Sequence, residues 1–444
     1  MKTFALFRLG TCLRLFLTAL LAVATCRLAR SQTAPPKLTL QEAESLALKN
    51  HPQVLAARSA IGAANEEVTE FRSAYYPALT VSVTGSQANE NARIGAGSLT
   101  DPRLFTRFGQ GVEFSQLITD SGRTNNLVAG SRLRAQATTQ DYQATRYDVL
   151  MRVNRAYFDV LHAQSLVGVA NETIAARQTL LDQVTTLFQN KLKSQLDVSF
   201  AGVNVSQAKL LLIRAQDNVQ QALAELARAM GADQPVNYRL VDEPEPPSPP
   251  AQPDELVAQA MHNRPELVSL QYSRNAAYRI VQAEKDLNRP TVSLAGVAGF
   301  LPLVNQAATG AQIPNEYEGA AVNVNIPVFN GHLFSARREA ARYQADIADQ
   351  RLRDEQQRVT RDVRVAWADS LTAFQRIGVS VQLMNDAKLA LELAQDRYNL
   401  GLASIVELTQ AQLNVTQAEI ENLSAKYDYQ TQYAALQYAL GLLR

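Results

Sequence analysis

The chain has 444 residues, and its 43 lysines and arginines nearly balance 42 aspartates and glutamates, for a formal net charge of +1. That balance argues against a nucleic-acid binder, which carries a clustered basic excess. A 46% hydrophobic content with a mean hydropathy of −0.16 is unlike a polytopic helical membrane protein.

Residues 1–31 read as a secretory signal peptide. Lys2, Arg8 and Arg14 precede the apolar run from Leu15 to Thr25, which is too short to span a bilayer as a helix. Cleavage is expected near Ala29-Arg30-Ser31. The alternative is cleavage before Cys26 with lipidation of that cysteine, although Thr25 makes a poor lipoprotein box. Cys12 and Cys26 are the only cysteines, so the mature chain has no disulfide framework. No later segment offers eighteen uninterrupted apolar residues, so membrane entry must be by strands.

The rest is written twice: a first repeat over 32–232, a proline-rich linker over 233–253 and a second repeat over 254–444. Ala47-Leu48-Lys49-Asn50-His51-Pro52 matches Ala260-Met261-His262-Asn263-Arg264-Pro265, and Pro77 matches Pro290, both 213 residues apart. Further on the spacing becomes 210: Tyr157 with Trp367, Phe188 with Tyr398, Asp197 with Glu407, Gly231 with Gly441. Such a constant register marks an internal duplication. Each repeat reads as a helix with Pro52 or Pro265 near its start, two strands around a polar loop, a very long helix, a tight turn and a shorter helix. Thr124–Asn190 and Leu333–Asn399 predict rods of about 100 Å; the Leu196–Met230 helix spans about 52 Å and the Pro52–Ala74 helix about 34 Å. Two short helices end to end therefore match one rod, the arithmetic of a tube wall. The linker Asp242-Glu243-Pro244-Glu245-Pro246-Pro247-Ser248-Pro249-Pro250 reads as stiff and extended.

Four segments alternate with period two: Thr80–Thr84, Val112–Ser115, Thr291–Ala295 and Ala321–Ile326. One face is apolar and the other small or polar, as for strands between lipid and water. Tyr75, Tyr76, Phe105, Phe108, Phe300, Tyr317 and Phe329 fall at the ends, where aromatic girdles sit. A soluble sheet with one wet face fits the same pattern. In lipid, four strands cannot close a barrel and open edges are not tolerated, so several copies must share one.

This helix, strand, strand, helix, helix order resembles the TolC-like outer-membrane efflux proteins over essentially the whole mature chain. The resemblance rests on Ser115-Gln116-Leu117-Ile118-Thr119-Asp120-Ser121-Gly122-Arg123, Asn325-Ile326-Pro327-Val328-Phe329-Asn330-Gly331 and Tyr398-Asn399-Leu400-Gly401-Leu402-Ala403-Ser404-Ile405-Val406-Glu407-Leu408. It implies a mainly α chain with a membrane β-barrel part: a homotrimer with a twelve-stranded β-barrel in outer-membrane lipid, continued by a twelve-helix periplasmic α-barrel with an equatorial region. It also implies docking to a periplasmic adaptor (membrane fusion) protein and an inner-membrane pump, so that the protein is the exit duct of tripartite efflux or type I secretion. Two departures stand out. Lys191 occupies the place of Gly401 in the first tip, and Gln410 stands where some members carry a second acidic gate residue.

No catalytic or cofactor signature is present. His51, His162, His262 and His332 are scattered, and there is no HExxH, Walker loop, G-x-S-x-G elbow or dinucleotide fingerprint. No enzyme, cofactor or nucleic-acid partner is expected. The candidate sites are a periplasmic gate at Glu407, Asp197 and Gln410, and adaptor contacts at Lys191, Leu192, Ser194, Gly401, Leu402, Ala403 and Ser404. Three symmetry-related carboxylates about 6 Å apart would repel by about 3 kcal/mol per pair at an effective dielectric of about 20. The plain alternatives are solvated carboxylates at a helix start and ordinary helical-hairpin turns. The loops Asn89–Gln110 and Leu301–Glu316 join strands away from the helices and are expected outside the cell. A periplasmic coiled-coil scaffold without a pore is the rival from another class. A general porin would be mostly strand.

Overall fold

The computed structural model describes residues 37–87, 93–96, 99–103, 107–232, 238–250, 252–301 and 315–443. The expected signal peptide, Cys26 and Phe105 lie outside them. Strand β1 is Lys37–Leu38; helices α1 (Leu40–Asn50) and α2 (Pro52–Ser73) follow. Next come β2 (Ala78–Ser86), the small hairpin β3 (Arg93–Ala96) and β4 (Leu99–Arg103), and β5 (Arg107–Thr119). The rod α3 (Arg123–Gln189) turns into α4 (Gln195–Ala229). The second half has β6 (Arg239–Leu240), α5 (Asp254–Asn263), α6 (Pro265–Asp286), β7 (Thr291–Phe300), β8 (Glu316–Asn325), α7 (Leu333–Asn399) and α8 (Ile405–Ala439).

The duplication is metrical. Both rods have 67 residues, both returning helices 35, and α2 and α6 have 22 each. In each repeat the returning helix and the shorter proline-started helix lie along the same rod, as the lengths require. Proline does not open the first helix of a repeat, however; it separates two. Pro52 lacks the N–H that would continue α1, so His51 ends α1 and caps α2, with Nδ1 accepting from the Gln53 N–H at 3.2 Å. The start of α1 is fixed by a capping box: Thr39 Oγ1 accepts from the Glu42 N–H at 3.3 Å, and the Glu42 carboxylate accepts from the Thr39 N–H at 2.9 Å.

The linker also departs from a plain extended segment. Arg239–Leu240 pair in parallel with Lys37–Leu38, and the buried Tyr157 hydroxyl shares its one proton between Leu38 O (2.9 Å) and Val241 O (2.7 Å). Tyr157 anchors a core near the middle of α3 with Leu38, Val153, Leu226 and Leu240. A second core gathers Leu267, Val359, Val363 and Leu436, and a third, at the tips, gathers Val184, Tyr398, Ile405 and Leu408.

Strands β2, β5, β7 and β8 form one antiparallel sheet in that order, with β2 and β8 at its edges. Opposed residues share a face, so the register assigns both sides. Leu79, Val81, Val83, Val112, Phe114, Leu294, Val322 and Val324 share one, broken at its outer end by Glu316 and Glu318. Thr80, Ser82, Thr84, Glu113, Ser115, Ser293, Asn323 and Asn325 share the other.

Candidate functional site: helical tips and the polar face of the sheet

Both tips close by the same backbone device. Leu192 N–H donates to Leu187 O at 2.9 Å and Lys191 N–H to Phe188 O at 2.8 Å; Leu402 N–H donates to Arg397 O at 2.7 Å and Gly401 N–H to Tyr398 O at 3.1 Å. These are Schellman motifs, which need a left-handed residue after the helix. Gly401 takes that conformation at φ +74°, as glycine can; Lys191 takes it at φ +62° despite its Cβ.

The returning helices begin differently. Ser194 Oγ accepts from the Asp197 N–H at 3.2 Å, while Asp197 Oδ2 accepts from the Ser194 N–H at 2.9 Å and hydroxyl at 2.8 Å, a complete capping box. Ser404 Oγ likewise accepts from the Glu407 N–H at 3.3 Å, but the Glu407 carboxylate turns to the Arg397 guanidinium, 3.0 Å away. Gln410 donates to Asn414 Oδ1 at 2.9 Å. Glu407 and Gln410 are exposed, Asp197 half-buried. Leu192, Gly401, Leu402 and Ser404 are exposed, whereas Ala403 packs into the tip core.

Sequence reasoning paired Tyr398 with Phe188 as repeat partners but gave it no role. Its ring is buried, and the Lys193 ammonium of the other hairpin sits 3.9 Å from the ring centroid, so the two tips touch here. Burial and the nearby Asp197 charge push the tyrosine pKa up, and its buried hydroxyl has no hydrogen-bond partner. The signal was available: a basic residue in one turn and a tyrosine before the other.

The sheet corrects the aromatic girdle at one position. Tyr317 lies on the polar face, over two glycines. A Cβ on Gly111 would stand 2.3 Å from its hydroxyl oxygen, and one on Gly299 2.4 Å from its ring. The register opposes Tyr317 to Gly299, and the missing side chains leave the space its ring fills. Tyr75, Tyr76, Phe108, Phe300 and Phe329 are exposed at strand and helix ends. Among the described residues no three His, Cys, Asp or Glu side chains gather to hold a metal.

A family model described as "Outer membrane efflux protein" matches residues 44–232 and 256–442. The chain belongs to the outer membrane efflux protein family. It is 24% identical over 407 residues to the outer membrane efflux protein BepC of Brucella suis, covering 91% of this chain and 85% of that one. It is also 24% identical to the outer membrane protein TolC of Vibrio cholerae, covering 91% of each. The solved CmeC outer membrane channel of Campylobacter jejuni superposes with a TM-score of 0.78 at 19% identity, covering 90% of this chain and 85% of that one. Membership decides between the rival readings. The chain is an outer-membrane exit duct of the efflux and type I secretion class rather than a periplasmic scaffold.

Proposed function

We propose that three copies of the chain share one twelve-stranded β-barrel, with the apolar sheet face toward outer-membrane lipid and the polar face lining the lumen, continued by a twelve-helix periplasmic tube. The observation that carries this is the pair of free edges. Among the described residues strands β2 and β8 pair on one side only, and Leu79, Val81 and Val322 are 69%, 70% and 69% exposed in the single chain. An apolar sheet with two open edges is tolerated in neither water nor lipid until neighbours close it. Helix α4 supports the same reading. Leu196, Phe200, Val203, Leu210 and Ile213 form an exposed stripe at helical spacing, and this is the one described helix apolar and long enough to cross a membrane. In a tube, such a stripe faces the adjacent copy.

The tips are the entrance, where a periplasmic adaptor and its inner-membrane pump deliver cargo. Leu192, Leu400 and Leu402 offer it an apolar surface. The exposed Glu407 carboxylates, repeated by symmetry, give this mouth a preference for cations, tempered by Arg397. The test is planar-bilayer conductance. The wild-type trimer is expected to be cation-selective and Glu407→Gln distinctly less so. Equal selectivity sinks the gate assignment, and absence of any conductance from purified protein sinks the pore.

A further inference from the structure

The proline-rich linker shows an order its composition alone does not reveal. Between Val241 and Pro250, burial follows a period of three: Glu243 and Pro246 are half-buried, Pro249 is buried, and the residues between are exposed. Three residues per turn is the period of a polyproline II helix, so the segment lies on the tube with one of its three faces down.

The surface beneath it is built from α7 and α8. Trp367 Nε1–H donates to Pro250 O at 2.8 Å, Gln430 Nε2–H to Glu243 O at 3.0 Å, the Tyr429 hydroxyl to Pro247 O, and the Lys426 ammonium to the Asp242 carboxylate. Phe374 and Tyr433 flank Tyr429, with ring centroids 5.3 and 6.2 Å away. Burial, Tyr433 and Glu245 push the Tyr429 pKa up to about 12, so its hydroxyl keeps the proton it donates.

All four of these groups are donors, and all four partners are acceptors. This one-sidedness suits proline, which has carbonyls to offer and no N–H to satisfy. An ordinary extended peptide would bring N–H groups to a surface whose side chains here act as donors; the amide oxygen Gln430 Oε1, on a residue 2% exposed, is buried with no hydrogen-bond partner among the described residues. Aromatic side chains presenting N–H and O–H donors to the carbonyls of a preformed left-handed helix is the chemistry by which proline-rich ligands are recognised.

We infer that Trp367, Phe374, Lys426, Tyr429 and Gln430 form a recognition groove for proline-rich peptides in polyproline II conformation, and that its resident ligand is the chain's own segment 242–250. The groove reads the carbonyl acceptors of Glu243, Pro247 and Pro250, four and three residues apart, and would take a peptide of the same chemistry supplied separately. It is independent of the pore and of the tips.

Trp367 is the only tryptophan in the chain, so its fluorescence reports the groove directly. Full-length protein in detergent with Pro246, Pro247 and Pro249 all changed to glycine is expected to show red-shifted emission and rapid cleavage at the Val241–Asp242 bond, which is unaltered by the substitutions, by a protease that cuts on the amino side of aspartate. A synthetic peptide matching residues 241–250 should then restore the blue-shifted emission, and its glycine-substituted counterpart should not. Unchanged emission in the variant, or equal restoration by both peptides, overturns the inference. Should the triple variant fail to fold, Tyr429→Phe keeps the ring and removes one donor. Losing one hydrogen bond of about 1 kcal/mol should raise the linker cleavage rate roughly fivefold, and an unchanged rate counts against the groove.

Discussion

The three longer helices of each repeat match in length to the residue, and the first differ by one (11 against 10), yet the repeats finish the same joints with different side chains. Where α1 meets α2, His51 caps with a ring nitrogen, and burial, then Arg152 and Arg228, push its pKa down, favouring the neutral ring that can accept. At the equivalent joint of α5 and α6, Arg264 stands 5.2 Å from the Tyr438 ring and 3.1 Å from the Glu266 carboxylate. The first tip bends on a lysine, the second on a glycine. The first linker anchor is Tyr157, reaching Val241 O; the second is Trp367, reaching Pro250 O. Helix length and turn position set the architecture, whereas joint chemistry drifts once the backbone frame is satisfied. Exchanging residues between the halves tests that separation.

The largest effect is expected where the halves agree. Gly231 and Gly441 end α4 and α8 at φ +70° and +69°. A Cβ on Gly231 would lie 2.7 Å from His51 Cα, and one on Gly441 2.9 Å from Asn263 O. Those contacts are backbone and cannot swing aside. Gly231→Ala and Gly441→Ala should each cost about 3 kcal/mol or more, the left-handed penalty adding to the clash. The helical signal in circular dichroism should melt well below wild type for both. Gly401→Ala, with open space around it, should lose only the backbone term. A tolerated alanine at one of the first two positions would break the equivalence.

These glycines also show what could be read from the chain. Gly231 and Gly441 were legible as repeat partners, and the rods, expected at Thr124–Asn190 and Leu333–Asn399, form over Arg123–Gln189 and Leu333–Asn399. Period and proline placement act locally, so sequence carries them. The short helices α1 and α5 were missed because a proline signal was taken for a start when it was also a stop, although Thr39 and Glu42 spelled out the capping box. Ser194 and Asp197 did the same at the first tip, and a capping carboxylate is what that spacing encodes. The seat of Tyr317, the lysine on Tyr398 and the docking of the linker were not legible. Each depends on the register between segments distant in sequence.

A second exchange makes the second repeat resemble the first. Glu266 aligns with Gln53, and burial is the main cause raising its pKa, with Arg264 only partly offsetting it. The Arg264 Nε and Glu266 Oε2 atoms are close but badly aligned, so neither completes a hydrogen bond. An acid whose folded pKa exceeds its unfolded value adds stability below the unfolded value and loses it as pH rises through the folded one. Glu266→Gln removes that titration. Whatever constant offset the lost Arg264 contact imposes, paired thermal melts should shift in favour of the variant between pH 4 and pH 7. A flat or opposite trend would show that the arginine contact outweighs burial of the carboxylate.

The smallest effect comes from making the first tip resemble the second. Lysine in the left-handed region is strained by about 1–2 kcal/mol. Glycine relieves this but gives back about 0.5–1 kcal/mol in unfolded-chain entropy, and it removes a cation from the negative end of α3, worth about 0.3–1 kcal/mol. At the middle of these ranges the terms nearly cancel, and at their limits Lys191→Gly gains about 1.2 kcal/mol at most, visible as slower amide exchange at the tip rather than as a large shift in melting temperature. Gly401→Lys, which receives the cation but also the strain, should loosen the second tip by a similar amount. A tip that tightens in Lys191→Gly while transport with the cognate adaptor weakens would mean that the strained lysine is kept for contact. Unchanged transport would leave it a tolerated drift of the duplicated turn.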